Sequence, residues 1–185
     1  YKRKDPIFII GFPRSGTTLL DSILRSHPLI EVVEEEPMVE KLVDSLNELP
    51  NDDFGDLKKT DNYQIQKIRK TYFDFLDDHV NEKNNSKFYI DRMPINTIFV
   101  GDILRIFPNA KFIHMVRHPG AFVRSGLRRN YYTGNENDDG RLTPNQQNPV
   151  SFEWEDITQM EKIAWLWNET NTFIEEKKVS LETLD

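Results

Sequence analysis

The feature that most constrains the fold is an apolar run that stops at a glycine-bearing turn. Residues 6–10 read PIFII, and residues 11–18 read GFPRSGTT. A continuous apolar run of this length is typical of a strand buried on both faces, as in a parallel sheet. A helical pattern covers residues 15–26, and the residues predicted to face the core are Leu19, Leu20, Ile23 and Leu24. The sequence therefore predicts a strand, a turn and a helix in succession.

Strands and helices alternate along the rest of the chain. Further strands are predicted at residues 29–33, 87–90, 111–116 and 179–181. Helices are predicted at residues 37–49, 61–79, 96–107, 119–131 and 152–177, with Asp61 and Asn96 as N-terminal caps. This alternation favours an α/β fold of three layers, with helices on both sides of a mainly parallel sheet. Residues 1–185 are predicted to form a single domain, with truncation at its C-terminus left open and a mobile loop near residues 134–149.

The turn after the first strand carries the groups of an anion site. Backbone N–H groups at a helix start are unpaired and lie at the positive end of the helix dipole, so they bind phosphate or sulfate oxygens. Gly11 and Gly16 allow the backbone to approach such an anion. Thr17 and Thr18 add hydroxyl donors, and Arg14 adds a cationic fork. The alternative is an ordinary strand–turn–helix corner, although the arginine and the threonines have no packing reason to lie there.

The spacing of this turn matches a P-loop, but the P-loop lysine is absent. Thr17 occupies the lysine position, and the basic group is Arg14, inside the loop. An ATP or GTP hydrolase needs that lysine on the β- and γ-phosphates. The pattern therefore favours a single terminal anion over a metal-bound triphosphate. A P-loop kinase acting on a small molecule stays open as an alternative.

The distribution of charge argues against long polyanions as partners but is compatible with a small anionic ligand. The chain has 24 Lys and Arg against 31 Asp and Glu, a formal net charge of −7. This average argues against nucleic acid or an anionic membrane surface as a general partner. Residues 31–56 are strongly acidic, whereas residues 111–129 contain five Lys and Arg and no acid. The sequence therefore predicts local clusters of positive charge that suit a small anionic cofactor.

Several other classes of site are excluded or disfavoured. The chain has no cysteine, so disulfides, thiolate zinc sites and a cysteine nucleophile are excluded. Its four histidines show no metal-ligand spacing, and no metal is expected. No apolar run approaches the roughly 18 residues of a membrane span, and no signal peptide is visible. These features predict a cytoplasmic protein, although a chain that enters a strand so early reads as a piece of a longer one.

The glycine-bearing turn resembles a known cofactor loop. GFPRSGTTLL resembles the 5′-phosphosulfate loop of sulfotransferases that use 3′-phosphoadenosine 5′-phosphosulfate (PAPS), which share a P-loop-like fold. PRSGTTLL followed by SHP resembles, more narrowly, the tyrosylprotein sulfotransferases and their bacterial relatives, which often carry tetratricopeptide repeats upstream. The resemblance implies that the 5′-phosphate and the sulfuryl group are held by Arg14, Ser15, Gly16, Thr17 and Thr18.

A second motif resembles the 3′-phosphate motif of the same family. It is FPNAKFIHMVRHPGAFVRS, residues 107–125. The resemblance implies that Arg117, at a strand end, and Ser125, eight residues later, grip the 3′-phosphate. Arg128 and Arg129 are interpreted instead as a solvated helix end, where cations are favourable.

The resemblance also implies a general base. In these sulfotransferases the catalytic glutamate follows the histidine of the SHP motif by eight residues, and counting from His27 reaches Glu35. A carboxylate facing a cleft can take the proton of an acceptor hydroxyl. Glu34 and Glu36 are interpreted as a solvated helix N-terminus, where acids are favourable.

The residue expected to stabilise the leaving group departs from the family pattern. The family usually has Lys-x-Pro after the next strand, and this chain has Arg92-Met93-Pro94. Arginine keeps the positive charge of lysine, but it spreads this charge over a planar guanidinium instead of concentrating it on one nitrogen. One alternative is that Arg92 only pairs with Asp91 or a nearby glutamate. A degenerate member that binds the product, 3′-phosphoadenosine 5′-phosphate (PAP), without catalysis is therefore the other open function.

Taken with the residues, the resemblance implies a PAPS-dependent sulfotransferase. The expected reaction is in-line transfer of the sulfuryl group to an acceptor hydroxyl, in preference to an amine, with Glu35 as base and Arg14 and Arg92 stabilising charge. The expected acceptor is a small molecule, a glycan or a peptide. His114 and the pair Trp165 and Trp167 are interpreted as core residues.

Overall fold

The computed structural model describes residues 3–47, 61–80, 88–133, 143–144 and 149–182. It divides into two compact units, one of Tyr1–Ile10 with Thr17–Met115 and one of Gly11–Gly16 with Val116–Asp185. Almost all of the loop predicted near residues 134–149 lies outside the described residues.

The first unit contains a four-stranded sheet. Its strands are β1 (Ile7–Ile10), β2 (Ile30–Glu34), β3 (Phe88–Arg92) and β4 (Lys111–His114). The order across the sheet is β2-β3-β1-β4, and all three pairings are parallel. The predicted parallel α/β sheet is confirmed, with strand bounds that shift by one or two residues.

The helices of the first unit connect these strands. They are α1 (Thr17–Leu24), α2 (Met38–Asn47), α3 (Asn62–His79), a 3₁₀ turn (Pro94–Thr97) and α4 (Val100–Ile106). Asp61 caps α3 as predicted, in a reciprocal capping box with Gln64. Asn96 does not cap a helix, because its side-chain amide donates to the buried carboxylate of Asp91 at 2.9 Å instead.

Helices cover both faces of this sheet, which gives the predicted three layers. On one face Ile9 of β1 packs with Leu20 and Leu24 of α1. The neighbouring Phe8 points to the opposite face, where its ring lies 6.2 Å from that of Tyr72 in α3. The prediction that Leu19 and Ile23 also face the core is wrong, because only the Leu20–Leu24 stripe of α1 reaches the sheet and the other two side chains are exposed.

The second unit is built around two helices, α5 (Pro119–Arg128) and α6 (Gln159–Glu182). Its buried cluster consists of Phe122, Tyr131, Ile163 and Leu166, and Phe12 of the glycine-bearing turn packs against it. The helices approach closely at Gly126, where an added Cβ would lie 2.9 Å from Ile163.

Helix α6 begins later and ends later than predicted. Thr158 and Glu161 form a capping box, in which the Thr158 amide donates to the Glu161 carboxylate at 2.8 Å, and this fixes the start at Gln159. The strand predicted at residues 179–181 is wrong, because these residues continue α6. No glycine or proline interrupts the helix there, and three residues are too few for a β pattern to prevail.

Candidate functional site

The glycine-bearing turn has the backbone conformation that its glycines allow. Gly11 and Gly16 have φ angles of 130° and 106°, which residues with a Cβ adopt only under strain. Arg14 also lies in the left-handed region, with φ of 78°. A non-glycine residue in that region is uncommon, and such positions are enriched at ligand-binding and active sites. Ser15 is buried, and its amide donates to the carbonyl of Phe12 at 3.1 Å.

The second unit contains a strongly cationic cavity of about 680 Å³. The described residues that line it are Arg14, Arg117, His118, Gly120, Ala121, Arg124, Ser125, Arg128 and Arg129. Five of them are arginines and none is acidic. Such a cavity suits a ligand that carries more than one anionic group.

Direct hydrogen bonds join the two motifs that were predicted to bind separate anionic groups. The Nε atom of Arg14 donates to the hydroxyl of Ser125 at 3.2 Å. The Nη1 atom of Arg117 donates to the backbone carbonyl of Arg14 at 2.8 Å. The carbonyl of Arg117 in turn accepts from the indole Nε1 of Trp167 at 2.8 Å. Three of the predicted cofactor residues therefore lie within one hydrogen-bonded group.

The start of α5 lies at this cavity. His118 is the N-cap, and its Nδ1 accepts from the amide of Gly120 at 3.2 Å. Pro119 follows at the first helical position, where its missing N–H costs nothing. The prediction that His118-Pro119 opens a helix is confirmed. The positive end of the α5 dipole at this helix start adds to the positive potential of the cavity.

The cavity also includes arginines that sequence reasoning assigned elsewhere or passed over. Arg128 and Arg129 are exposed, as predicted, but they line the cavity together with Arg124. The available signal was helical spacing, because Arg124 and Arg128 are four residues apart, as are Ser125 and Arg129. Residues at this spacing share one face of a helix, and Arg129 is the C-cap of α5.

Arg92 is the centre of a charged cluster in the first unit. Its side chain is 1% exposed. The Nε atom donates to Oδ2 of Asp21 at 3.2 Å, Nη1 donates to Oε1 of Glu35 at 3.3 Å, and Nη2 donates to Glu34. The β-sheet register explains the last two contacts, because Glu34 pairs with Arg92 across β2 and β3 and the Glu35 amide donates to the Arg92 carbonyl at 3.0 Å.

The three consecutive glutamates have different surroundings. The side chain of Glu35 is 62% exposed, and its backbone lies in the left-handed region with φ of 53°. Glu34 contacts both Arg92 and Arg25. The Glu36 carboxylate lies 3.3 Å from Nε2 of His79 rather than being only solvated. Glu35 is therefore the most open of the carboxylates that contact Arg92.

The alternative that Arg92 pairs with Asp91 is wrong. Strand alternation places Asp91 on the other face of β3, where it accepts hydrogen bonds from Tyr72 at 3.0 Å and from Asn96 at 2.9 Å. Burial raises the pKa of Asp91 to about 7, an effect that these two hydrogen bonds oppose. The other half of that alternative, pairing with a nearby glutamate, describes the observed contacts of Arg92.

In the part of the chain that the structure describes, three or more His, Asp or Glu side chains are nowhere grouped as metal ligands would be. Among the same residues, no helix has the length and apolar character needed to span a membrane.

Comparison with known proteins identifies a family that matches this chain and several similar proteins. A family model described as "Sulfotransferase family" matches residues 6–162. A protein of Aquifex aeolicus described as uncharacterized is 32% identical over 135 residues, which are 69% of this chain and 17% of that protein. Protein-tyrosine sulfotransferase 1 of Rattus norvegicus is 28% identical over 137 residues, which are 70% of this chain and 35% of that protein. The chain therefore spans about a third or less of the length of these relatives.

A solved structure supports the fold. The sulfotransferase domain from the curacin biosynthetic pathway superposes with a TM-score of 0.55 at 19% identity, over 95% of this chain and 63% of that one. At this identity the similarity concerns the fold alone. The predicted P-loop-like α/β fold is confirmed.

Proposed function

We propose, because this chain belongs to the sulfotransferase family, that it transfers the sulfuryl group of PAPS to an acceptor hydroxyl, in preference to an amine. The observation that carries the proposal is the cationic cavity, in which Arg14, Arg117 and Ser125 are joined by hydrogen bonds. The acceptor is proposed to be a small molecule, a glycan or a peptide.

The donors of the cavity fit a cofactor with several anionic groups. Five arginines supply fixed, planar cations that bind phosphate oxygens in pairs. We assign the 3′-phosphate to Arg117 and Ser125. The 5′-phosphosulfate end is assigned to Arg14, Ser15, Gly16, Thr17 and Thr18. When bound, PAPS supplies an activated sulfuryl group and leaves as PAP.

Glu35 is proposed as the general base. Its carboxylate is largely exposed, so an acceptor hydroxyl can reach it, and Arg92 contacts only one of its oxygens in the structure. The remaining oxygen can accept the hydroxyl proton. Arg92 and Arg14 are proposed to stabilise the negative charge that develops during transfer.

Calorimetry with PAP, PAPS, ATP and GTP tests the cofactor assignment. Removal of one charged hydrogen-bonding partner costs about 1.5–3 kcal/mol, so Arg117→Ala should weaken PAP binding by about 10- to 150-fold. The matched control is Arg105→Ala, at an exposed arginine of α4, which should leave binding unchanged. Tight Mg²⁺-ATP binding with no response to PAP would instead support a kinase.

Transfer itself is tested with ³⁵S-labelled PAPS and a panel of tyrosine peptides, phenols, sugars and primary alcohols. Labelled product from one acceptor class supports the enzyme and names the class. Tight PAP binding without labelled product from any class would favour a degenerate, PAP-binding protein.

A further inference from the structure

Asp21 is a buried carboxylate that bridges two arginines of the first unit. It lies in α1 and is 3% exposed. Its Oδ2 accepts from Nε of Arg92 at 3.2 Å and from Nη2 of Arg25 at 3.3 Å, and its Oδ1 accepts from Nε of Arg25. The contact with Arg25 follows from the spacing of four residues on one helix, whereas the contact with Arg92 spans 71 residues.

The contact with Asp21 fixes the plane in which Arg92 presents its charge. A guanidinium is planar and rigid, so binding it at Nε sets the directions of its two terminal nitrogens. In Arg92 these terminal nitrogens donate to Glu35 and Glu34. The side chain of Asp21 therefore restricts the orientation in which Arg92 contacts the two glutamates.

Side-chain exposure is low at Asp21 and Arg92 and higher at the two glutamates. The side chains of Asp21 and Arg92 are 4% and 1% exposed, whereas those of Glu34 and Glu35 are 46% and 62% exposed. The cluster therefore has a buried end at Asp21 and an open end at the glutamates. An exposed carboxylate keeps many rotamers unless something holds it, and Arg92 contacts Glu35 from the buried side.

We propose that Asp21 is a positioning residue for the transfer reaction, acting through Arg92 on Glu35. This inference rests on the proposed function. Asp21 touches neither cofactor nor acceptor in this assignment. It holds the guanidinium of Arg92 by Nε, and Arg92 then holds one carboxylate oxygen of Glu35 so that the other faces an acceptor hydroxyl. Without Asp21, the guanidinium can turn and the base loses its fixed direction.

A double-mutant comparison separates this role from simple neutralisation of a buried charge. Misplacement of a reacting group by about 1 Å can cost roughly 100-fold in rate, so Asp21→Asn should lower kcat by about that factor. KM for PAPS should change less than about twofold, since the cofactor contacts are intact. Arg92→Lys has no Nε donor for Asp21, so adding Asp21→Asn to it should change kcat less than about threefold.

The assay uses ³⁵S-labelled PAPS and the best acceptor of the panel, at a temperature where each variant is folded, with active sites counted by PAP calorimetry. Asp21→Glu, which keeps the charge, should recover part of the lost kcat. Asp77→Asn is the control, because Asp77 pairs with Arg3 in the same unit, and it should leave kcat unchanged. The proposal is overturned if Asp21→Asn lowers kcat by the same factor in the wild type and in Arg92→Lys. It is also overturned if Asp21→Asn leaves kcat of the wild type unchanged.

A second readout is independent of activity. The Nε–H proton of Arg92 should give a slowly exchanging ¹⁵N NMR signal, assigned by its absence in Arg92→Lys. It should vanish or shift in Asp21→Asn and stay unchanged in Asp77→Asn. An unchanged signal in Asp21→Asn overturns the positioning contact. If the signal responds to Asp21→Asn but the wild-type protein transfers the sulfuryl group to no acceptor, the proposed function is overturned. The positioning role then falls with it, although the contact between Asp21 and Arg92 stands.

Discussion

Arg14 and Ser125 are 111 residues apart in the sequence, and the Nε of the first donates to the hydroxyl of the second at 3.2 Å. Each residue belongs to a different predicted motif, one for the 5′ end and one for the 3′ end of a cofactor. We therefore expect a change at either motif to affect the geometry of the other, so that the cavity of the second unit behaves as one site.

The contact predicts non-additive effects on PAP binding. Ser125→Ala should weaken binding, since it removes a donor to phosphate and also releases Arg14. The combination with Arg14→Ala should cost less than the sum of the two single changes, by about 0.5–3 kcal/mol. Calorimetry with PAP measures this coupling. Ser22→Ala, in α1, serves as the control, and strict additivity would contradict a shared site.

Glu35 and Glu34 should differ in their effect on turnover. Glu35→Gln removes the proposed base and should lower kcat by about 10²- to 10⁴-fold, with PAP affinity unchanged. Glu34→Gln removes a carboxylate that already contacts two arginines and should retain most of the activity. Rates with ³⁵S-labelled PAPS decide between them. Transfer that persists at the wild-type rate in Glu35→Gln would remove Glu35 as the base.

Stability should fall as pH rises through the titration of Asp91. The pKa of Asp91 is raised to about 7 by burial, above its usual value of 3.8, so between these values the folded state keeps a proton that the unfolded state has lost. The stabilisation is fully present below pH 3.8 and is lost as pH rises toward 7, at up to about 1.4 kcal/mol per pH unit. Asp91→Asn should remove this slope.

Urea unfolding of the wild type and of Asp91→Asn from pH 5 to 8 measures this slope. Other titrating groups cancel in the difference between the two proteins. A difference that stays constant across this range would contradict a protonated Asp91 in the folded state.

Gly126 and Gly101 offer a matched pair of helix glycines with opposite expected effects. A Cβ at Gly126 would lie 2.9 Å from Ile163 and 3.2 Å from Tyr131, so Gly126→Val should destabilise the fold by about 1–3 kcal/mol. A Cβ at Gly101 would meet nothing within 4 Å, so Gly101→Ala should stabilise it by up to about 1 kcal/mol. Thermal unfolding compares them, and a stable Gly126→Val would show that α5 and α6 have room to separate.

Much of the local structure followed from the sequence alone. The apolar run before Gly11, the Asp61 cap and the His118-Pro119 helix start each depend on neighbouring residues, and the structure confirms all three. Local geometry also predicted that Gly11 and Gly16 shape the turn. Such features can be read directly because the energies that decide them act within a few residues along the chain.

Only the tertiary structure decided which distant charges meet. The register of β2 and β3 places Glu34 and Glu35 at Arg92, and strand alternation sends Asp91 to the other face. Nothing in the pattern of α1 shows that Asp21 reaches Arg92, 71 residues away, or that Leu19 stays exposed. These contacts depend on sheet register and on which helix stripe reaches the sheet. Packing of the whole unit sets both, and no local preference encodes them.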